Sequence, residues 1–253
     1  MTTAFRTQID GGIAELVIDN PPVNALSTGA WADLARAIEG LGRDGAVRAV
    51  VIRAEGRGFQ AGVDVKELAK DGSLIAVVNR GCYDLFGAIY DCPVPVVSAV
   101  HGYCLGGGIG IAGASDLVLC SDDASFGLPE IDRGALGAAT HAMRMFGMQV
   151  ARHMLLTGEP IGAQEAYRRG GVLEVVPRPK LRDAAMALAA KIAGKSAKAV
   201  QLAKWSLNGI ELLDVKQSYR FEQGFTFELY TSPDSQEARD AFAEKREAKF
   251  PKS

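Results

Sequence analysis

At 253 residues the chain is long enough for one large domain, or a domain with an appendage, that buries about three quarters of its unfolded surface. Its 28 basic and 30 acidic side chains leave a formal net charge of −2, which gives nothing to recruit a nucleic acid or an anionic membrane, so an anionic ligand must be met by local groups. Cys82, Cys92, Cys104 and Cys120 are too widely and unevenly spaced for paired metal ligands or a redox pair; reduced thiols, no metal and a cytoplasmic location are expected. Met1 to Arg6 lacks a basic segment leading into an apolar core, so no secretory signal is expected.

In chain order, Ile13 to Ile18 is a short apolar run that reads as a strand, Ser27 is placed to cap a helix through Gly40, and Val47 to Ile52 is β-branched and reads as a second strand. Ser73 to Tyr90 reads as a helix, Val94 to Val100 as a buried strand, and Asp116 to Cys120 as a strand beyond a glycine-rich stretch. This alternation predicts an α/β core with parallel strands joined by helical crossovers. From Ala138 onward helical runs take over, with one short strand near Val172 to Val176 and helices beginning at Leu181, Ala197, Lys216 and Asp234. Pro177-Arg178-Pro179 is the one hinge-like break. Arg220 to Tyr230 gathers four aromatics, more than one helix of a small monomer usually hides; an oligomer interface is expected there, with an intrachain core as the alternative.

Cys92 to Ser115 carries no Asp, Glu, Lys or Arg, yet two prolines, His101 and six glycines mark it as a buried strand and a glycine loop rather than a membrane span. Two stretches, Phe59-Gln60-Ala61-Gly62-Val63-Asp64 and Gly102-Tyr103-Cys104-Leu105-Gly106-Gly107-Gly108-Ile109-Gly110, read together as the halves of an oxyanion hole built from backbone amides. A thioester carbonyl becomes an enolate or a tetrahedral oxyanion during reaction, and each preorganised N–H can stabilise that charge by about 3 kcal/mol. Consecutive glycines let a ligand lie against the main chain, and a helix beginning at Gly107 would add its free amides and dipole.

A rival reading takes Gly108-Ile109-Gly110-Ile111-Ala112-Gly113 as a dinucleotide fingerprint, with Glu130 as the ribose-binding acid. Against it, His101 to Gly107 separates the strand from the first fingerprint glycine, and Glu130 follows Pro129 rather than ending a strand.

These segments, with Asn20-Pro21-Pro22-Val23-Asn24-Ala25-Leu26, Phe126-Gly127-Leu128-Pro129-Glu130-Ile131, Leu156-Thr157-Gly158 and Ala241-Phe242-Ala243-Glu244-Lys245-Arg246, make the chain resemble the crotonase superfamily, the enoyl-CoA hydratase and isomerase group, nearly end to end. The resemblance implies an α/β fold, a spiral of ββα units over residues 1–194, with a C-terminal helical region over 195–253 that assembles trimers, often paired as hexamers. It implies coenzyme A as the carrier of the substrate and no permanently bound cofactor. By position, the amides of Val63 and Gly107 would bind the thioester oxygen. Val23, Ala25, Ala61, Asp64, Val65 and Lys66 would line the groove for the carrier, and Phe242 and Lys245 would meet its adenine and phosphates. His101 and Tyr103 flank the glycines, but a lone His beside an apolar strand reads first as a hydrogen-bonded structural residue.

The chain departs from the hydratase pattern at one place. Hydratases of this superfamily use two glutamates, and the position of the first is Gly110 here, with no carboxylate anywhere from Leu105 to Ser115; the second survives as Glu130. One carboxylate beside an oxyanion hole suffices to move a proton between carbons or to activate water against a carbonyl. Glu130 lies among apolar neighbours, so its pKa is expected to be raised. Arg53 to Phe59, Gly106 to Gly110, Gly127 to Glu130 with Arg133 to His141, and Ser218 to Arg220 with Gln223 to Leu229 resemble an actinobacterial subgroup that hydrolyses a steroid-derived ring. That resemblance implies hydrolytic C–C ring opening of a cyclic diketo acyl-CoA, with Glu130 as acid or base and His141, Asp132 and Arg133 as candidates to assist. A double-bond isomerase, a conventional hydratase and a non-catalytic CoA-binding scaffold are the alternatives.

Overall fold

The computed structural model describes residues 4–133, 135–211, 228, 232–244 and 246–250. The chain opens with a hairpin of β1 (Phe5–Asp10) and β2 (Ile13–Ile18), turned by Gly11 and Gly12, both at positive φ. Ser27 then caps α1 (Thr28–Arg43), its hydroxyl accepting from the Ala30 amide. Trp31, Leu34, Ala35, Ile38 and Leu41 recur at helical spacing and form the buried face of α1. β3 (Ala49–Ala54) runs parallel to β2, and the chain continues through α2 (Val65–Lys70) and α3 (Ile75–Tyr90) to β4 (Val96–Val100).

Next come β5 (Tyr103–Leu105), α4 (Gly107–Ala114), β6 (Leu117–Ser121), β7 (Ser125–Gly127) and a 3-10 turn over Pro129–Arg133. The long α5 (Ala139–Thr157) has a non-helical residue at Gly147 (φ 76°). β8 (Ile161–Gly162), α6 (Ala163–Arg168) and β9 (Glu174–Val176) follow, then α7 (Leu181–Ala193), α8 (Ala197–Ile210) and a last described helix, Pro233–Glu244.

Two sheets result. A six-stranded sheet has the order β1-β2-β3-β4-β6-β9, parallel except for the first pair, and a three-stranded sheet has the order β5-β7-β8. β2 and β4 are buried along their whole length, which explains their mostly apolar sequence; the exceptions are Ser98 and Glu15, the latter paired with Arg53 and Arg182. The main core packs α1, α3, α4 and α5 against one face of the large sheet. α7 covers the other face, with Leu181, Ala185 and Ala189 on Val51, Val97 and Leu119.

The expected alternation of strand and helix is present, and the parallel pairing with it. Sequence patterning missed β1, β5, β7 and β8. β1 is exposed over five of its six residues and β5, β7 and β8 are two or three residues long, so neither an alternating pattern nor an apolar run marks them. The expected helix start at Lys216 and the aromatic stretch of Arg220 to Tyr230, Glu228 excepted, lie outside the described residues. All four cysteines are free thiols, with burial pushing Cys82 and Cys120 up to about 12. Among the described residues no His/Cys/Asp/Glu cluster could hold a metal, and no helix is long and apolar enough to cross a membrane.

Candidate active site

The two glycine-bearing segments meet at one point. Gln60, fully buried, holds the first of them: its Oε1 accepts from the Gly62 amide and its Nε2 donates to the Gly62 carbonyl, both at 2.7 Å. The Leu26 amide donates to the Gly62 carbonyl and the Asp64 amide to the Leu26 carbonyl. These two bonds flank Val63 and turn its own N–H away from that ladder. Asn24, at φ 56°, steadies the same region by donating to the carbonyls of Glu55 and Gly58.

The second segment arrives on β5. Gly106 takes φ 53°, a conformation open to glycine, and the chain enters α4 with Gly107 as its first residue. The Gly107 amide is therefore among the helix-terminal donors that α4 itself cannot satisfy. A Cβ on Gly62 would stand 3.8 Å from the Gly107 nitrogen, so the residue before Val63 is packed beside the α4 terminus. The loop that carries Val63 and the first residue of α4 thus lie side by side.

Glu130 reaches the same place from the small sheet. The Gly106 amide donates to the Gly127 carbonyl at 3.1 Å, which aligns β5 with β7, and the Pro129–Arg133 turn curls back over that junction. Fully buried Leu128 anchors the turn from below. The Glu130 carboxyl then fills the space a side chain on Gly106 would need, with its Cδ 3.1 Å from that position. One carboxyl group is thereby seated against the residue that precedes the Gly107 donor.

The underside of α4 is closed by rings. Gly107, Gly110 and Gly113 recur every three residues on one helix face, and Trp31, Phe86 and His141 press on them in turn. Trp31 and Phe86 meet edge to face at 6.0 Å between centroids, and Phe86 and His141 at 4.7 Å. The glycines are absent side chains that admit these aromatics, and no room is left along them for a pyrophosphate. The dinucleotide reading fails on that account.

His141 stands in the first turn of α5. Burial, and then the nearby Arg144 charge, lower its pKa to about 4, and its Nδ1 is buried without a hydrogen-bond partner among the described residues. Its backbone lies against Gly113, about 9 Å along α4 from Gly107 at 1.5 Å per residue, and its ring reaches back only as far as Phe86. Asp132 points elsewhere: it is exposed, and its carboxylate lies 2.6 Å from the position of a Cβ on Gly158, at the end of α5. The Arg133 side chain is outside the described residues. His101 is tied up, its Nε2 donating to the Gly56 carbonyl at 3.1 Å, as its structural reading requires.

The expected carrier-binding residues fall on adjoining loops. Val23 and Ala25 lie half-buried on the segment entering α1, beside half-buried Ala61 and Asp64, through the Leu26–Val63 bridge. Asp64 caps α2 by accepting from the Lys66 amide at 2.9 Å, while Val65 (56% exposed) and Lys66 face solvent. The backbone of Phe242 belongs to the last described helix, but its side chain and all of Lys245 lie outside the described residues. Sequence reasoning missed Gln60, Trp31 and Phe86. Gln60 sits inside the quoted glycine motif and could have been noticed as a polar residue in an apolar setting; the two rings are spaced like any core aromatic.

Comparison with known proteins gives the chain's relatives. Residues 8–253 match the enoyl-CoA hydratase/isomerase family. The chain is 51% identical over 235 residues to the (7aS)-7a-methyl-1,5-dioxo-2,3,5,6,7,7a-hexahydro-1H-indene-carboxyl-CoA hydrolase of Rhodococcus jostii, covering 92% of this chain and 91% of that protein. It is 47% identical over 241 residues to the protein of the same name from Mycobacterium tuberculosis, covering 94% and 98%. Among solved structures, enoyl-CoA hydratase from Mycobacterium smegmatis matches with a TM-score of 0.92 at 30% identity, over 97% of this chain and 98% of that one. The chain belongs to the enoyl-CoA hydratase/isomerase family.

Proposed function

We propose that the protein hydrolyses a ring carbon–carbon bond in a bicyclic diketone carried as a coenzyme A thioester. The observation that carries this reading is the Glu130 carboxyl lodged against Gly106 while position 110 offers no carboxylate. Two relatives at about half identity, each named as a hydrolase of a dioxo-hexahydro-indene-carboxyl-CoA, supply the substrate class.

In this mechanism Glu130, as general base, takes a proton from water, and the hydroxide forms a bond to the ring ketone carbon. The bond from that carbon to its neighbour breaks, and the electron pair passes into an enolate whose oxygen accepts from the Val63 and Gly107 amides. Glu130 then returns its proton to the carbanion carbon. The sum is one water consumed, one C–C bond broken, one carboxylate and one C–H formed, and the proton of the new acid released to solvent. His141, neutral at working pH, assists from behind Phe86 by ordering the ring that closes this end of the site. Val23, Ala25, Ala61, Asp64, Val65 and Lys66 run along the carrier, Phe242 and Lys245 meet its nucleotide end, and the C-terminal region assembles a homotrimer or homohexamer.

Isomerisation of a double bond is the second reading, since one carboxyl group beside the amide pair also fits proton transfer between two carbons. A panel of enoyl-, 3-enoyl- and cyclic diketo-acyl-CoA thioesters separates the two. Ring hydrolysis adds one water and one new carboxylate; isomerisation leaves the mass unchanged. A protein that shifts double bonds but leaves the diketone intact would contradict the proposal.

A further inference from the structure

The row of rings under α4 bears on which reactions this site can perform. A Cβ on Gly110 would stand 2.5 Å from Cε1 and Cε2 of Phe86, closer than any real contact of that kind. The ring cannot readily swing aside. Trp31, fully buried and held by its Nε1 donating to the Leu26 carbonyl, packs on one edge of it, and His141 on the other. Phe86 is itself half-buried, so it closes position 110 while keeping part of its surface open.

Addition of water across a C=C bond needs a base for the water and an acid for the α-carbon, held at two places around the thioester. Glu130 supplies one such group from the side of Gly106. A second could project from α4 one turn beyond Gly107, and position 110 is on that turn. The geometry points to Phe86 as the specificity-determining residue that bars a side chain from position 110, so that hydration is excluded by the Phe86–Gly110 pair and not by the missing carboxylate alone. Reaction choice is then held in α3, outside both oxyanion-hole segments. The inference rests on the acyl site lying at Val63, Gly107 and Glu130, but not on which diketone is cleaved.

The test compares Phe86→Ala, Gly110→Glu and the double variant F86A/G110E, reading melting temperature and crotonyl-CoA hydration. The single variant is expected to melt well below wild type and to leave crotonyl-CoA unhydrated. The double variant is expected to melt above Gly110→Glu, against the sum of its parts, and to hydrate at least about 10-fold faster than either single change. Hydration by Gly110→Glu at the rate of the double variant would overturn the inference, as would a folded double variant no faster than Gly110→Glu. Should Gly110→Glu not fold, Gly110→Ala and F86A/G110A put the same steric question with one methyl group; strictly additive losses in melting temperature would overturn it, and rescue by the smaller residue 86 would support it. Ring hydrolysis by the wild-type protein is measured alongside. Its absence counts against the proposed reaction and leaves the comparison between variants intact.

Discussion

Glu130 carries the proton chemistry of the proposed reaction, and its placement depends on residues that have no side chain. Gly106 leaves the space that the carboxyl group fills, and Gly107 offers the amide next to it. Glu130→Gln keeps the shape and removes the titratable oxygen; it is expected to lower kcat by at least about 100-fold with little change in KM, read with the ring-opening substrate. His141 makes a different prediction. Its folded-state pKa near 4 lies below the ordinary 6.5, so the unfolded chain takes up the proton first. Stability is therefore full above about pH 6.5 and falls as pH drops toward 4, and His141→Gln should flatten that slope in urea titrations at pH 7 and pH 5. Glu130 was legible in the sequence because it sits in the dense Phe126-to-Ile131 motif. Phe86 was not, because a phenylalanine on a helix reads as core until the glycine facing it is located.

At the scale of elements, the site is a meeting of a pinned loop, a helix start and a returning turn. The Gln60 amide does for Gly62 what a ladder would do in a sheet, satisfying a donor and an acceptor inside the protein. Gln60→Leu leaves the Gly62 N–H unpaired and its carbonyl with the Leu26 amide alone, and is expected to cost about 2 kcal/mol of stability and to lower kcat, because the Val63 amide loses its support. Unchanged melting and turnover in that variant would show that the loop holds its shape without the side chain. The long elements were readable in advance: β2 matched its expected limits, α3, β3, β4 and β6 came within one or two residues, and α1 ran three residues past its expected end. The small β5-β7-β8 sheet was not, since strands of two or three residues carry too few side chains to show a period, and they are fixed by pairing across distant sequence. Yet that sheet is what delivers Glu130 to Gly106.

On the scale of the molecule, the end of the chain is tied into the core through α8. Lys204 on α8 has a side chain only 3% exposed; its Nζ donates to Asp116 at 2.7 Å and to the carbonyls of Ile89 and Val94. Removing one partner of such a buried pair leaves the other charge uncompensated, so Lys204→Ala is expected to lose about 3 kcal/mol in urea unfolding. The alternation of strand and helix predicted the architecture from sequence, while an assembly is only an expectation from the aromatic content of Arg220 to Tyr230. Sedimentation of the purified protein should give a trimer or hexamer mass.

The central claim, that one carboxyl group beside two backbone amides drives ring hydrolysis, is tested most directly by mass spectrometry of the product formed from a bicyclic diketo acyl-CoA in heavy-oxygen water. The expected product carries one labelled oxygen, located in a new carboxylate, and the Glu130→Gln variant does not form it. An unopened ring, or efficient hydration of crotonyl-CoA by the unmodified protein, would contradict it.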